Sequence, residues 1–210
     1  MNISEIRAAV RQDLHDEDEN NYRWTDDELD RHIRHAVSEF SGPVPYEQKA
    51  TISTAAGSRE IDISGVTGRV MVEAVEYPAG KFPRMYQRFS LWGDTLTLLG
   101  DEVPDGSDAN IYYGKLHSID EEGSTISARH EDLITAGAAG YAAVEWGIYA
   151  VNRVNAGGAT TARDLAEWGD RRLSYFRQEI RRLGRRNRVR VGLLYAPYYL
   201  PVSKSTDYGP

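Results

Sequence analysis

The chain has 210 residues, of which 40% are hydrophobic and 27% charged, which is typical of a folded globular protein. It contains no cysteine, so disulfide frameworks and thiolate metal sites are excluded. The net charge of −7 is unevenly distributed: residues 177–190 hold seven Arg against one Glu, a charge of +6, so the remainder carries −13. This polarity favours head-to-tail contacts between copies, or contact with a polyanion at one end.

The N-terminal region predicts two amphipathic helices. Apolar residues recur at helical spacing over residues 3–15. Thr25 followed by Glu28 is a capping box that begins the second helix, and Gly42-Pro43 ends it. The acidic connection 16–27 resembles an EF-hand calcium loop but departs from that pattern twice, so an ordinary helix connection is the simpler interpretation.

Residues 44–127 predict a β module. Short runs rich in β-branched and aromatic residues alternate with Gly and Pro turns. Leu91 to Leu96 predicts a tight hairpin with Gly93-Asp94 at its tip. We expect a small antiparallel sandwich or open barrel of five to seven strands.

A third helix is predicted from Glu131 to about Val154. Its apolar run, Leu133 to Val151, is mostly Ala and Gly and contains one acid, so a buried helix explains it better than a membrane span. Small residues spaced three and four apart let another helix approach closely, either inside a bundle or between identical subunits. We assign these positions to a subunit interface: Gly137, Gly140, Val144, Gly147 and Val151.

A fourth helix is predicted to begin after Thr160 or Thr161 and to end near Gly184. The helical body then comprises residues 1–43 and 128–184. The fold class is therefore α+β: a bundle of about four helices with an inserted small antiparallel β sandwich or barrel.

Residues 185–210 predict an extended C-terminal docking arm, because the segment is too apolar for a solvated tail and too rich in Pro for a long helix. Its arginines could neutralise nucleic-acid phosphates or pair with an acidic protein surface, and the apolar sequence that follows them favours a protein. We predict that the following residues bind the partner: Arg185, Arg186, Arg188, Arg190, Leu193, Leu194, Tyr195, Pro197, Tyr198, Tyr199, Leu200 and Pro201.

No nucleophile elbow, phosphate-binding loop or dinucleotide-binding motif occurs in the sequence. His32 and His35 lie three residues apart on the second helix, but no third ligand accompanies them, so we interpret both as surface side chains. We expect no enzymatic activity, no metal and no cofactor.

The order of these features resembles the head–tail connector (adaptor) proteins of tailed bacteriophages. The resemblance is carried by "RWTDDEL" at Arg23 to Leu29, "GSREIDI" at Gly57 to Ile63, "VEYP" at Val75 to Pro78 and "LWGDTL" at Leu91 to Leu96. Two further helices and the C-terminal tail complete the pattern over nearly the whole chain.

This resemblance implies a homo-oligomeric ring, usually of twelve copies, under the portal protein at the head–tail junction of the virion. The ring would join capsid to tail, contact tail or further connector proteins, and let genomic DNA pass through its lumen. Arg185 to Pro210 would be the portal-contacting arm. Assembly would take place in the host cytoplasm, without a membrane. Two alternatives stay open: a tail-terminator or tail-tube protein, and a DNA-binding protein that uses the arginine-rich segment.

Overall fold

A computed structural model describes residues 1–101, 103–150 and 162–195. These residues form an α+β fold with two antiparallel sheets and no closed barrel, so the predicted fold class is confirmed. The helices are α1 (Ile3–Leu14), α2 (Asp26–Ser41), α3 (Glu131–Ala150) and α4 (Ala162–Leu194), with a short 3-10 turn at Ala128–His130. The strands are β1 (Tyr46–Ser53), β2 (Glu60–Asp62), β3 (Arg69–Glu76), β4 (Tyr86–Gln87), β5 (Phe89–Trp92), β6 (Thr95–Leu98) and β7 (Asp108–Lys115).

The chain divides into two compact units. Unit 1 comprises Met1–Tyr46 and Leu116–Gly184, and unit 2 comprises Glu47–Lys115 together with the segment that begins at Arg185. In unit 1 the apolar faces of the helices meet in one core around Phe40 and Phe176, which are both fully buried. The helical periodicity of the sequence therefore corresponds to the faces that are buried.

The predicted capping box begins α2. The Thr25 hydroxyl accepts a hydrogen bond from the Glu28 N–H at 3.3 Å, and the Glu28 carboxylate accepts one from the Thr25 N–H at 2.8 Å. Asn2 and Glu5 form the same reciprocal arrangement at the start of α1. At the start of each helix, side chains thus satisfy two backbone N–H groups.

The acidic connection between α1 and α2 is organised around a buried ion pair. Arg11 and Asp16 are each 6% exposed, and the Arg11 guanidinium donates to the Asp16 carboxylate at 2.6 Å. The same carboxylate accepts from the backbone N–H of Arg23 at 2.7 Å, and Arg11 also donates to the carbonyl of Trp24 at 3.0 Å. Asp16 is therefore occupied by protein donors, as expected of a structural helix connection.

Within unit 1, His117 ties the segment after α2 to the point where the chain returns at Leu116. Its Nε2 lies 3.0 Å from the Val44 carbonyl oxygen and its Nδ1 lies 3.0 Å from the Thr125 hydroxyl, while its backbone N–H donates to Ser41 at 3.0 Å. Because a carbonyl only accepts, Nε2 carries the hydrogen and Nδ1 accepts from the hydroxyl. Burial lowers the pKa of His117, which favours this neutral form.

Unit 2 contains both sheets. The strand order is β1-β7-β3-β4 in the four-stranded sheet and β2-β6-β5 in the three-stranded sheet. One apolar core lies between them, and Ile61, Leu96 and Ile111 are among its fully buried members. The predicted hairpin joins β5 to β6, with Gly93 at a φ of 58°.

Two boundaries differ from those predicted. The β module ends at Lys115 rather than at residue 127, because the residues that follow belong to unit 1; Ile3 N–H, for example, donates to the Asp120 carbonyl at 2.9 Å. The predicted end of the fourth helix near Gly184 was wrong, since α4 continues to Leu194. Gly184 lies inside the helix, where an added Cβ would be 2.7 Å from Pro43, so close packing rather than helix termination accounts for this glycine.

Candidate protein-docking site

The last turns of α4 carry most of the predicted partner-binding residues, and within unit 2 one face of these turns contacts the β module. The Arg190 guanidinium pairs with both carboxylate oxygens of Glu47, one of them at 3.1 Å, and lies 3.6 Å from the Glu73 carboxylate. Val191 and Leu194 line the same side, over a cavity of about 260 Å³. We call this side the inner face.

The inner face joins one guanidinium to two carboxylates. Burial raises the pKa of Glu73, the nearby charge of Glu47 raises it further, and Arg190 opposes both effects. The hydrogen bonds that Arg190 donates to the Glu47 carboxylate raise the pKa of Arg190. The positive charge of Arg190 therefore offsets the repulsion between the Glu47 and Glu73 carboxylates. Arg190 already forms ion pairs within its own chain.

The opposite side of these turns, the outer face, is solvent-exposed and basic. Arg185, Arg186 and Arg188 are exposed, and none of them forms an ion pair with any residue in the described ranges. Val189 and Leu193, one helical turn apart, are 65% and 67% exposed. An exposed face that combines arginines with aliphatic side chains provides charge and apolar contact together.

The predicted partner-binding residues therefore fall into three sets. The outer face contains Arg185, Arg186, Arg188 and Leu193. Arg190 and Leu194 line the inner face, and the Tyr195 ring lies 6.3 Å from that of Tyr86 in β4. Residues 197–201 lie outside the described residues. The predicted extended conformation is wrong for residues 185–194, because these residues are helical.

The glycine stripe of α3 contacts α4 of the same chain. A Cβ added at Gly137 would lie 3.0 Å from the Phe176 ring, and one added at Gly140 would lie 2.9 Å from Leu173. A Cβ added at Gly147 would lie 2.5 Å from that of Ala166. These three glycines thus serve helix packing inside unit 1, and their assignment to a subunit interface stays a prediction. Of the other two residues in that set, Val144 is half-buried and lies beside Gly169 of α4, and Val151 lies outside the described residues.

The described residues show no arrangement typical of a metal centre. They contain no group of three or more His, Asp or Glu side chains that could hold a metal ion. The interpretation of His32 as a surface side chain was wrong: it is buried, its Nε2 lies 3.2 Å from Glu145, and burial lowers its pKa. His35 is exposed and stacks on Tyr141.

Within the described ranges, no helix combines the length and the hydropathy needed to cross a membrane.

Sequence reasoning missed a second exposed surface, at the β3–β4 loop of unit 2. The buried Glu76 carboxylate accepts hydrogen bonds from Tyr112, Asn110 and Gly80 at 2.6, 3.1 and 3.0 Å, which fixes the base of the loop. The loop exposes Phe82, which is 91% accessible. A signal was present in the sequence, because residues 77–93 contain five aromatic and three basic side chains and no acid.

Comparison with known proteins gives one family. The sequence profile described as SU10 adaptor protein matches residues 1–192, which include elements of both units and nearly all of α4. A search of curated proteins returned no match. The length of the family match is sufficient to assign membership: the chain belongs to the SU10 adaptor protein family, a family of phage head–tail adaptors.

Proposed function

We propose that this protein forms a homo-oligomeric ring under the portal of a tailed phage, where it joins the capsid to the tail and lets genomic DNA pass. The family match over residues 1–192 carries this proposal, because a structural adaptor of a phage is a virion component. The same membership supports a structural rather than an enzymatic role. Twelve copies are the number that the resemblance implies, and assembly in the host cytoplasm belongs to the same proposal.

We place portal binding on the outer face of α4 and on the residues that follow it. Arg185, Arg186 and Arg188 supply charge that no ion pair within the described residues engages, and Leu193 supplies exposed apolar surface. Residues 197–201 extend the same segment with Tyr, Leu and Pro. Arg190 is a weaker candidate than the sequence implied, because its guanidinium is engaged by Glu47 and Glu73.

The mixture of side chains on the outer face favours a protein partner over DNA. A site that neutralises phosphates gains from arginines but gains nothing from an exposed Val189 or Leu193. Exposed apolar surface next to arginine is instead typical of a surface that contacts another protein. The remainder of the chain is acidic, which suits the wall of a DNA channel, because a negatively charged wall repels DNA and does not retain it.

Binding of the purified protein to portal protein tests the docking proposal. Leu193→Asp and the triple reversal Arg185→Glu, Arg186→Glu, Arg188→Glu should each weaken binding at least about tenfold, as expected for interface hot spots. Leu116→Asp is the matched control, because Leu116 is also an exposed leucine and lies in unit 1. Portal binding that is unchanged in both outer-face variants would refute this site.

Two further measurements separate the alternatives. A DNA-binding protein would bind duplex DNA with an affinity that falls steeply with salt, and charge reversal would abolish that binding. A tail-terminator or tail-tube protein would bind tail subunits but not portal. A wild-type chain that neither oligomerises nor binds portal would overturn the ring proposal itself.

A further inference from the structure

The open edges of the two sheets in unit 2 come from consecutive strands. β4 is an outer strand of the four-stranded sheet, and β5, which follows after Arg88 alone, is an outer strand of the three-stranded sheet. Among the described residues, no strand pairs with the free side of either. The segment 77–93 therefore contains an unpaired strand edge of each sheet.

The backbone of β5 presents hydrogen-bonding groups on the side that faces away from β6. Leu99 N–H donates to the Arg88 carbonyl at 2.8 Å, which makes Arg88 and Leu99 a hydrogen-bonded pair beside the β5–β6 ladder. Hydrogen-bonded and non-hydrogen-bonded pairs alternate in an antiparallel ladder. The N–H and C=O groups of Phe89 and Leu91 consequently point away from β6, toward the free edge.

The side chains of this segment resemble those of a protein interface. Leu91 and Trp92 are 40% and 89% exposed at the end of β5, and Phe82 is exposed on the neighbouring loop. Aromatic residues and Arg are enriched at interfaces, whereas acidic residues are depleted. Monomeric proteins usually protect an edge strand with Lys, Pro or a bulge. The four residues of β5, Phe-Ser-Leu-Trp, contain none of the protective residues.

The positive charge of the segment is complementary to the negative charge of the rest of the chain. Residues 77–93 carry +3 and no acid, so the remainder, at a total of −7, carries −10. The opposite edge of the three-stranded sheet is β2, whose exposed Glu60 and Asp62 are acidic. A basic, aromatic edge on one copy and an acidic surface on the next form a heterologous contact, the type that closes rings by rotation.

We propose that the β4–β5 edge of unit 2 binds a second copy of this chain by strand addition at β5, with Phe82 and Trp92 as anchors. This inference rests on the proposed ring and assigns one of its subunit interfaces. Strand addition supplies affinity through the backbone, and the exposed aromatic side chains supply specificity.

The test measures ring assembly of the full chain by sedimentation and electron microscopy, with and without portal protein. Leu91→Pro removes an N–H that points outward and leaves the β5–β6 ladder intact, whereas Leu91→Ala keeps that N–H and is the matched control. We expect Leu91→Pro to raise the concentration for half-maximal assembly at least about tenfold more than Leu91→Ala does. The double variant Phe82→Ser, Trp92→Ser, at two highly exposed positions, should raise it similarly without affecting the fold.

The outcomes distinguish this inference from the proposed function. Rings that form normally in both the Leu91→Pro and the double variant would overturn the edge interface while leaving the ring proposal standing. Normal rings that no longer attach to tail protein would also overturn it, because the occupant would then be a tail component. If a chain truncated after Tyr195 lost assembly while both edge variants kept it, the C-terminal residues would be responsible instead. A wild-type chain that never forms rings would refute the ring proposal.

Discussion

Replacing Gly140 by Ala tests how closely α3 and α4 approach. The added Cβ would lie 2.9 Å from Leu173 Cγ and 3.1 Å from the carbonyl oxygen of Gly169. Leu173 can rotate, but the backbone oxygen can move only with α4. Overpacking of this kind costs about 1–3 kcal/mol, while Ala is favoured over Gly inside a helix by about 1 kcal/mol. We therefore expect a net loss of about 1 kcal/mol in the free energy of unfolding.

Gly192→Ala is the matched control, because Gly192 is also helical and, among the described residues outside its own helix backbone, no heavy atom lies within 4 Å of an added Cβ. This variant should gain up to about 1 kcal/mol, so the two substitutions should differ by about 2 kcal/mol, or roughly 4–8 °C in Tm. Urea and thermal denaturation measure both values. If Gly140→Ala stabilised the chain as much as Gly192→Ala, the close approach would be refuted. If it left stability unchanged but disrupted rings, the stripe would be a subunit interface.

Three further perturbations act on buried polar groups. Arg11→Ala leaves the Asp16 carboxylate buried without its partner and should cost about 3–5 kcal/mol in urea denaturation. Glu76→Gln should lower the pKa of Tyr112, which burial and the Glu76 hydrogen bond raise to about 12, as followed by ultraviolet titration. Burial lowers the pKa of His117 in the folded chain. Below about pH 6.5, this imidazole therefore takes up a proton more readily in the unfolded chain than in the folded chain. Stability should therefore fall as the pH drops from 7.5 to 5.5, and less steeply in His117→Asn.

Each of these expectations has a clear contrary result. A loss below about 1 kcal/mol for Arg11→Ala would mean that the pair is not desolvated as described. A Tyr112 titration that does not change in Glu76→Gln would show that burial alone sets that pKa. An identical pH dependence of stability in the wild type and His117→Asn would remove His117 as a contributor.

Local signals in the sequence predicted most elements of the fold. Thr25 and Glu28 predicted the start of α2, because a capping box satisfies backbone groups with side chains only three residues away. Gly93-Asp94 predicted the β5–β6 hairpin for a similarly local reason, since its turn needs a positive φ. In both cases the determining atoms lie within a few residues of one another in the chain.

The errors arose where the cause was a contact distant in sequence. A glycine that ends a helix and a glycine that admits another segment look the same in a sequence, and at Gly184 the contact is with Pro43. The glycines of α3 posed the same ambiguity, because a helix of the same chain and a helix of a neighbouring subunit require the same small residues. The engagement of Arg190 by Glu47 also depended on a distant contact.

The two units use their charged residues differently. In unit 1 one charge pair at the α1–α2 connection is internal, since Arg11 and Asp16 are buried against each other. In unit 2 the segments 77–93 and 185–190 carry +3 and +4 without a single acid, so the remainder of the chain, at a total of −7, carries −14. Arg190 is paired within the chain, but the other basic residues of the second segment are exposed. In the proposed ring, one such surface would bind the acidic body of a neighbouring copy and the other would bind the portal. The sequence polarity then has a physical role, because it supplies two separate basic contacts from one acidic chain.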